Sequence, residues 1–326
     1  MNNSNDKQKD DLEYLKRRLF ELINRWTPNC GPYQTRIKNL SFFRQQEPGG
    51  PRTHIIEPSL CYIVQGAKQV LHGNTVLVYN PHRFLITALD LPIIAEIIEA
   101  SKEQPYLSLS LKLEHRIIAE LIMESQPSVT VGQPTSPINV TEVNKPLLEA
   151  LLRLIELLDE PEHIPVLAPL IEREITYRLL SSKQGAYVRQ IALAGHQGYH
   201  VARAIDWLKK NFNRKFRMEE LASYCQMSVS SFYQYFRKLT CMSPLQYQKY
   251  LRLQEARRLM LAEHYDAASA SYKVGYESPS QFNREYKRLF KATPLQDIKN
   301  LRQQQCASPS EAPYQLLGTQ RFREEV

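Results

Sequence analysis

The chain has 326 residues, of which 43% are hydrophobic and 23% are charged. This length is enough for about two domains, each with its own core, and the composition excludes a collagen-like or largely disordered chain. No apolar run approaches the ~18 residues of a membrane span, and the polar start, MNNSNDKQKDD, lacks the pattern of a signal peptide. We therefore expect a cytoplasmic protein that does not associate with membranes.

The net charge of +8 is distributed unevenly along the chain. Residues 200–302 contain 19 Lys and Arg against 9 Asp and Glu, whereas the remainder contains 23 against 25. A basic segment beside a near-neutral one indicates a polyanionic partner for the basic segment. Charge alone does not decide between this interpretation and a solvated basic surface.

The cysteines are scattered and lack the spacing of metal ligands: Cys30, Cys61, Cys225, Cys241 and Cys306. This pattern is typical of reduced thiols rather than of a disulfide framework or a zinc site. Cys61 lies in an apolar run, where a small buried cysteine is the common case. A redox or electrophile sensor is the alternative for this residue.

The first half of the chain predicts a helix followed by strands. Residues 6–26 have leucines at helical spacing with charges between them, which predicts an amphipathic helix. Short apolar runs then alternate with Gly and Pro turn signals and predict strands at 60–64, 75–79, 84–87 and 107–113. Several short strands at close intervals favour a small antiparallel barrel or sandwich.

A Pro-, Ser- and Thr-rich stretch at 126–137 predicts a linker, after which two helices follow. The first helix has apolar residues at 3-4-3 spacing and the second continues an apolar stripe: Leu148, Leu151, Ile155, Leu158, then Leu167, Ile171, Ile175 and Leu179. Such a seam is compatible with dimerisation through paired helices and equally with packing against the chain's own barrel.

A repeat dominates the basic segment. The sequence SVSSFYQYFRKL from Ser228 reappears as SPSQFNREYKRL from Ser278. Each copy begins with a serine suited to cap a helix, and it places aromatic residues on one face and polar or basic residues on the other. Further short helices are predicted before the copies, at 218–225 and 266–276. Two helix-turn-helix units can read two successive segments of a DNA groove.

One long helix is predicted between the copies, from Pro244 to about Glu263. At ~1.5 Å per residue its length is roughly 30 Å, and major-groove segments on one side of B-DNA recur every ~34 Å. The outward Arg, Gln, Ser and Tyr side chains suit base edges. Phosphates are expected to be bound by five basic residues: Arg237, Lys238, Lys287, Arg288 and Lys291.

The stretches SPLQYQKYLRLQEARRLM from Ser243 and VGYESPSQF from Val274 resemble the double helix-turn-helix domain of AraC/XylS-type bacterial transcription regulators. More weakly, EPSLCYIVQG from Glu57 and ALDLP from Ala88 resemble the cupin-like N-terminal domain of one AraC subgroup. The resemblance implies a nucleoid-associated regulator such as an activator, with double-stranded DNA and RNA polymerase as partners. It also implies a small-molecule effector at the barrel and a homodimer. Base contacts are implied for six residues: Ser230, Tyr233, Gln234, Ser280, Gln281 and Arg284.

Three positions depart from the family pattern, because Gln226, Cys241 and Lys291 stand where glycine is common at a turn or helix end. A non-glycine residue with positive φ costs of order 1 kcal/mol. We therefore expect a slightly reshaped first helix-turn-helix. The second copy keeps its turn glycine, Gly275, and should be the more regular reader.

An enzyme and an architectural DNA binder are the alternative classes. Cupin barrels often hold a metal, and the candidate ligands are His54, Glu57, His72 and His82, but the sequence has no His-x-His pair. It also lacks a Gly-rich phosphate loop and a nucleophile motif. We expect no enzyme activity, no catalytic residues, no metal and no cofactor. The large, apolar N-terminal half argues against an architectural binder.

Together these patterns predict an α+β chain with an N-terminal cupin-like β-barrel and flanking helices, followed by an all-α double helix-turn-helix domain. The expected division has five parts: an N-terminal helix (1–32), the barrel (33–125), a linker and helical segment (126–198), the DNA-binding domain (199–302) and a disordered tail (303–326).

Overall fold

The computed structural model describes residues 2–125, 136–182, 185, 188, 189, 191 and 197–306. The chain divides into two units, Met1–Arg52 with Ile56–His196, and Thr53–Ile55 with Gln197–Val326. Antiparallel strands precede a series of helices, so the predicted α+β fold with an all-α C-terminal region is confirmed. None of the described helices combines the length and the apolar character that crossing a bilayer requires.

Among the described residues, ten strands form two antiparallel sheets. The strands are β1 (Gly31–Gln34), β2 (Leu40–Gln45), β3 (Arg52–Ile56), β4 (Ser59–Gln65), β5 (Ala67–His72), β6 (Thr75–Tyr79), β7 (Arg83–Thr87), β8 (Leu91–Glu99), β9 (Tyr106–Lys112) and β10 (Ile138–Glu142). One sheet has the order β1-β2-β9-β4-β7-β10 and the other the order β3-β8-β5-β6. The four predicted strands correspond to β4, β6, β7 and β9 and are confirmed.

The six-stranded sheet packs one face against an N-terminal helix. This helix, α1 (Asn2–Trp26), confirms the predicted amphipathic helix and begins four residues earlier. Leu19 and Ile23 of α1 are fully buried, and α1 contacts β4 and β9. Tyr62 of β4 and Phe84 of β7 lie on this face with ring centroids 4.9 Å apart. An apolar core therefore lies between α1 and the sheet.

Two elements of the first unit differ from the prediction. Helix α2 (His115–Ser125) lies within the segment predicted to be barrel, and β10 lies within the segment predicted to be linker and helices. Strand β10 pairs with β7, with Ile138 opposite Thr87. Its identity depends on this long-range pairing, which a five-residue pattern does not reveal. Residues 126–135 of the predicted linker lie outside the described part of the chain.

The apolar seam predicted at 148–179 packs within the first unit. Helices α3 (Lys145–Glu156) and α4 (Ile164–Leu180) pack on each other, and α3 also packs on α1. The seam residues of α3 are fully buried, as are two of the α4 stripe: Leu148, Leu151, Ile155, Ile175 and Leu179. For these residues the structure favours packing within the chain over pairing between subunits.

The second unit contains both predicted helix-turn-helix motifs. Its described helices are α5 (Gln197–Lys210), α6 (Met218–Tyr224), α7 (Val229–Thr240), α8 (Pro244–Ala262), α9 (Ala267–Lys273), α10 (Pro279–Phe290) and α11 (Pro294–Cys306). The spacer helix is confirmed as α8. Helix α11 extends to Cys306, so residues 303–306 are helical rather than part of a disordered tail. Residues 307–326 lie outside the described residues.

The predicted backbone conformation at the three positions without glycine is confirmed. Gln226, Cys241 and Lys291 have φ values of 57°, 58° and 60°. Cys241 and Lys291 directly follow α7 and α10, where a left-handed residue closes the helix end. His264 has the same conformation, with φ 58°, which the sequence did not reveal. The first turn therefore carries backbone strain at Gln226, whereas the second uses Gly275.

Candidate nucleic-acid interface

The two repeated helices, α7 and α10, are called the reader helices here. The first of them, α7, is fixed by its cap and its aromatic face. Ser228 Oγ accepts a hydrogen bond from the backbone N–H of Ser231 at 3.3 Å, which satisfies an amide that a helix start leaves unpaired. Phe232 and Phe236 are fully buried, with ring centroids 5.6 Å apart. The opposite face is exposed and carries three of the predicted base-reading residues: Ser230, Tyr233 and Gln234.

The second reader helix, α10, follows the same design. Ser278 caps it and Pro279 occupies its first position. Phe282 and Tyr286 are fully buried, and the Tyr286 hydroxyl donates to Asp297 Oδ2 at 2.7 Å. Burial and the Asp297 carboxylate raise the pKa of Tyr286, so its phenol remains a donor. The exposed face carries the remaining predicted base-reading residues: Ser280, Gln281 and Arg284.

Helix α8 ties the two motifs together through Arg252. Its guanidinium donates to Phe212 O at 2.6 Å, to Gly275 O at 2.8 Å and to Arg214 O at 3.2 Å. The loop before α6 and the turn of the second motif are thus held by one side chain. Gly275 has φ +89°, and a Cβ added to it would lie 2.2 Å from Asn213 O. Only glycine allows this close approach.

Three of the four cations of α8 are paired with carboxylates of the second unit. Arg257 forms two hydrogen bonds of 2.7 Å with Asp297, and Lys249 lies 2.7 Å from Glu285. Arg258 pairs with glutamates of its own helix end, and these pairs raise its pKa. These charges are therefore structural and are not available to a polyanion.

The basic residues of the reader helices and of their C-terminal ends differ from those of α8 in exposure and in pairing. They are exposed, and none of them forms an ion pair with any residue that the structure describes: Arg237, Lys238, Arg284, Lys287, Arg288 and Lys291. These six cations lie on the exposed sides of α7 and α10, away from the buried aromatic residues of each helix, or directly after α10. They form the unpaired positive charge of this surface. Such a surface suits a polyanion that contacts both helices.

Two family models match the chain in succession. The AraC-type transcriptional regulator N-terminus matches residues 36–187, and a helix-turn-helix domain matches residues 221–300, which include both reader helices. The chain belongs to the AraC-type transcriptional regulators. The expected family resemblance is thereby confirmed for both halves of the chain.

This AraC-type regulator is 70% identical over 37 residues to the HTH-type transcriptional regulator YneL of Escherichia coli K12, in a match that covers 11% of the chain and 63% of YneL. It is 24% identical over 156 residues to the HTH-type transcriptional regulator YdeC of Bacillus subtilis, a match that covers 46% of the chain and 52% of YdeC. The chain thus spans about half to two thirds of the length of these curated relatives.

The fold is similar to that of wild-type ToxT from Vibrio cholerae, whose crystal structure contains a bound unsaturated fatty acid. The TM-score is 0.56 at 8% sequence identity, and the match covers 83% of this chain and 96% of ToxT. At this identity the likeness shows the fold alone.

Sequence reasoning missed the residues that support the readers of this AraC-type regulator. Arg252 looks like one more cation of a basic segment, although it serves three backbone carbonyls. Glu285 looks like a solvated charge, yet it accepts hydrogen bonds from Lys249, Tyr276 and Gln281. The one local signal was the i, i+4 spacing of Gln281 and Glu285 on a predicted helix.

The four candidate metal ligands of the first half do not form a cluster. Glu57 forms an ion pair with Lys112, His72 Nδ1 lies 3.3 Å from Pro92 O, and His82 Nδ1 lies 3.1 Å from Lys16 Nζ. Within the described residues, His, Cys, Asp and Glu form no group of three or more that could hold a metal ion, His54 included. Four described cysteines take part in no disulfide: Cys30, Cys61, Cys225 and Cys241.

Proposed function

We propose that this regulator binds double-stranded DNA sequence-specifically by placing α7 and α10 in two consecutive segments of the major groove. The observation that carries the proposal is the division of charge. Three of the four cations of α8 are paired with carboxylates, and the fourth, Arg252, is held by backbone carbonyls, whereas the cations of the reader helices form no ion pair with a described residue. Unpaired cations bind phosphates and release counterions. The 19 residues of α8 span roughly 28 Å at ~1.5 Å each, which suits two readers about one turn of DNA apart.

The exposed residues of the reader helices divide into two roles in this proposal. Residues at the centre of each exposed face contact base edges: Ser230, Tyr233, Gln234, Ser280, Gln281 and Arg284. Arginine suits guanine and glutamine suits adenine, each with two hydrogen bonds. The basic residues toward the helix ends contact phosphates: Arg237, Lys238, Lys287, Arg288 and Lys291. Phosphate contacts set the register of the protein, and base contacts set the sequence.

The charge argument is tested by the salt dependence of DNA binding. Changing Lys287 to Met should weaken binding to specific and random duplexes alike and lower the slope of log K against log salt by about 1. Lys299→Met is the matched control, since Lys299 is an exposed lysine of α11 outside the reader helices. An unchanged slope in Lys287→Met, or an equal change in Lys299→Met, would show that the reader-helix cations do not contact phosphates.

The first unit is proposed to receive a small-molecule effector that changes DNA binding, and not to catalyse a reaction. Support comes from the match to the AraC-type N-terminus and from ToxT, which shares the fold and was crystallised with a fatty acid. That ligand is a property of ToxT, so the chemical class for this chain requires its own argument. Retained DNA affinity across a broad metabolite screen, with no change in thermal unfolding, would contradict effector control.

A homodimer is proposed through the outer face of α4, because the buried seam is already used within the chain. This face exposes an apolar group at helical spacing: Val166, Leu167, Leu170 and Tyr177. In sedimentation experiments Leu170→Glu should shift the protein toward monomer. Val76→Glu, at an exposed valine of β6, should not. A wild-type protein that is monomeric at micromolar concentration would refute the dimer.

We further propose that the protein acts in the bacterial cytoplasm, at the nucleoid. Its partner there is RNA polymerase, and the outcome is activation of transcription. It is supported by membership of a regulator family and by the DNA-binding surface. A promoter fusion placed beside the selected operator tests it. Expression should fall when the gene is deleted, and rising expression would identify a repressor.

A further inference from the structure

The exposed face of α7 carries an apolar pair, of which only one member belongs to the proposed base-reading residues. Val229 is the first residue of α7, and Tyr233 follows it at i+4, so the two side chains are neighbours on one side of the helix. Val229 is 39% exposed and Tyr233 is 41% exposed, whereas the core residues Phe232 and Phe236 of the same helix have no exposure. The apolar pair therefore faces solvent rather than the core of the motif.

The apolar pair adjoins the proposed base-reading surface at the start of the helix. Ser230 directly follows Val229 and Gln234 directly follows Tyr233, and both polar residues are exposed. In a helix-turn-helix motif the N-terminal residues of the second helix contact base edges. Val229 thus occupies a position at which a helix lying in the major groove meets the bases.

Charge on the same side of α7 favours nucleic acid as the occupant of this surface. Arg237 follows Tyr233 at i+4, so Val229, Tyr233 and Arg237 form a row along the helix. Arg237 is exposed and forms no ion pair with a residue that the structure describes. A cation at the end of the row attracts the phosphate backbone, which brings the apolar pair next to base edges. A protein surface is the alternative occupant.

The second reader helix offers different chemistry at the same place. In the register of the repeat, Pro279 corresponds to Val229 and Asn283 corresponds to Tyr233. Asn283 is exposed and presents an amide that can donate and accept hydrogen bonds. The apolar pair is therefore a property of the first motif and does not follow from the design that the two motifs share.

Thymine is the base whose major-groove edge suits an apolar side chain. Each base presents hydrogen-bonding groups in the major groove, and thymine alone adds a methyl group, at C5. An apolar side chain against a purely polar edge leaves donors or acceptors without water and without a partner, which is unfavourable. Against the thymine methyl group, the same side chain removes apolar surface from water on both molecules.

We infer that Val229 is a further specificity-determining residue and that, together with Tyr233, it binds the C5 methyl group of a thymine in the groove segment read by α7. Gln234 lies beside the apolar pair, where its amide suits an adenine. This inference rests on the proposed function, because it requires α7 to lie in the major groove. It adds that recognition of the first segment depends on a methyl group.

Replacement of single thymines by deoxyuridine tests the inference, because uracil lacks only the C5 methyl group. The probes are duplexes that the full-length protein selects from a random library, and the segment read by α7 is the one in which Gln234→Ala relaxes a base pair. At least one replacement in that segment should weaken wild-type binding by about fourfold, which corresponds to one methyl group returned to water.

Variants of the apolar pair should remove this preference for thymine. Val229→Ala and Tyr233→Ser should each reduce the preference, and the double variant should abolish it. Tyr233→Phe retains the ring and should retain the preference. Val78→Ala, at a valine of β6 that is 42% exposed, is the matched control and should behave like the wild type. Because both members of the pair are exposed, the variants should fold, which thermal unfolding verifies.

The inference is overturned if no deoxyuridine replacement in the segment read by α7 weakens wild-type binding, or if the double variant keeps the wild-type preference. The first of these results requires no variant. Sequence-selective binding without a methyl effect would refute only this inference, whereas a protein that selects no duplex would refute the proposed function as well. Reduced promoter activation in the double variant, with an unchanged preference for thymine, would assign the apolar pair to a protein partner instead.

Discussion

Lys249 Nζ of the spacer helix lies 2.7 Å from Glu285 Oε1 of the second reader helix. The same carboxylate accepts hydrogen bonds from Gln281 Nε2 at 3.3 Å and from the Tyr276 hydroxyl at 2.8 Å. One amide hydrogen of Gln281 is thereby committed, while its second amide hydrogen and its amide oxygen stay available. These are the donor and the acceptor that a glutamine needs to contact adenine. Glu285 thus positions a proposed base-reading side chain.

Replacing Glu285 with alanine should weaken base discrimination more than overall affinity. Gln281 loses its fixed orientation in the variant, so discrimination at its base pair should fall by about tenfold, or ~1.4 kcal/mol. Competition binding with duplexes that differ at one base pair measures this effect. Lys249→Met should show a smaller change of the same kind. Unaltered discrimination in Glu285→Ala would mean that the carboxylate only stabilises the fold.

The Glu285 network should also make stability depend on pH. Burial by itself raises the pKa of the Glu285 carboxyl, but hydrogen bonds from Lys249, Tyr276 and Gln281 outweigh it and hold the pKa below the ordinary 4.5. Because the folded-state pKa lies below the unfolded one, the carboxylate stabilises the fold above pH 4.5 and loses this contribution as the pH falls through the folded-state value. The stability difference between wild type and Glu285→Gln, measured by denaturant unfolding, should therefore shrink on acidification. A difference that grows at acid pH would contradict this assignment.

Removing the guanidinium of Arg252 should loosen the connection between the two motifs. In Arg252→Met three backbone carbonyls lose a charged donor, with an expected loss of about 3 kcal/mol in the free energy of unfolding. Affinity for a duplex with both groove segments should fall more than affinity for a duplex with one. Lys299→Met serves as the control. Equal losses on the two duplexes would indicate that the motifs are not held together through Arg252.

Glycine at the end of α7 should stabilise the protein. Cys241 has φ 58°, where a side chain carries strain of order 1 kcal/mol, so Cys241→Gly should raise the free energy of unfolding by roughly 0.5–1 kcal/mol. Cys241→Ser keeps the strain and separates this effect from loss of the thiol. Gly275→Ala should have the opposite sign, because its Cβ would lie 2.2 Å from Asn213 O. Thermal unfolding compares all three variants, and a destabilised Cys241→Gly would contradict the strain argument.

The sequence predicted best where structure is local. The caps at Ser228 and Ser278 and the aromatic faces follow from patterns within one or two helical turns. The left-handed residues at Gln226 and Cys241 were expected from the family resemblance, in which glycine is common at these positions. Strand β10 was not predicted, because only its pairing with β7 defines it. Short strands are assigned by partners that lie far away in sequence.

The supporting contacts of the candidate sites could not be predicted for the same reason. Lys249 and Glu285 are far apart in sequence, and nothing near either residue indicates the pairing. Lys68 follows a turn in a run of mixed polarity, and no pattern in the sequence marks it as a buried residue. Its place on the buried face appears only once the register of β5 with β6 and β8 is known. The charge composition showed which part of the chain is basic. It did not show which of the basic residues form ion pairs in the fold.

The central claim is that α7 and α10 read two consecutive segments of the major groove. The most direct test selects bound duplexes from a random library with the wild type, Arg284→Ala and Gln234→Ala. The account predicts an enriched site with two different specified segments about one helical turn apart. Arg284→Ala should relax one base pair in one segment at a cost of about 1–3 kcal/mol, and Gln234→Ala should relax a base pair in the other. Enrichment of a single segment, or equal loss of affinity on selected and random DNA in both variants, would contradict it.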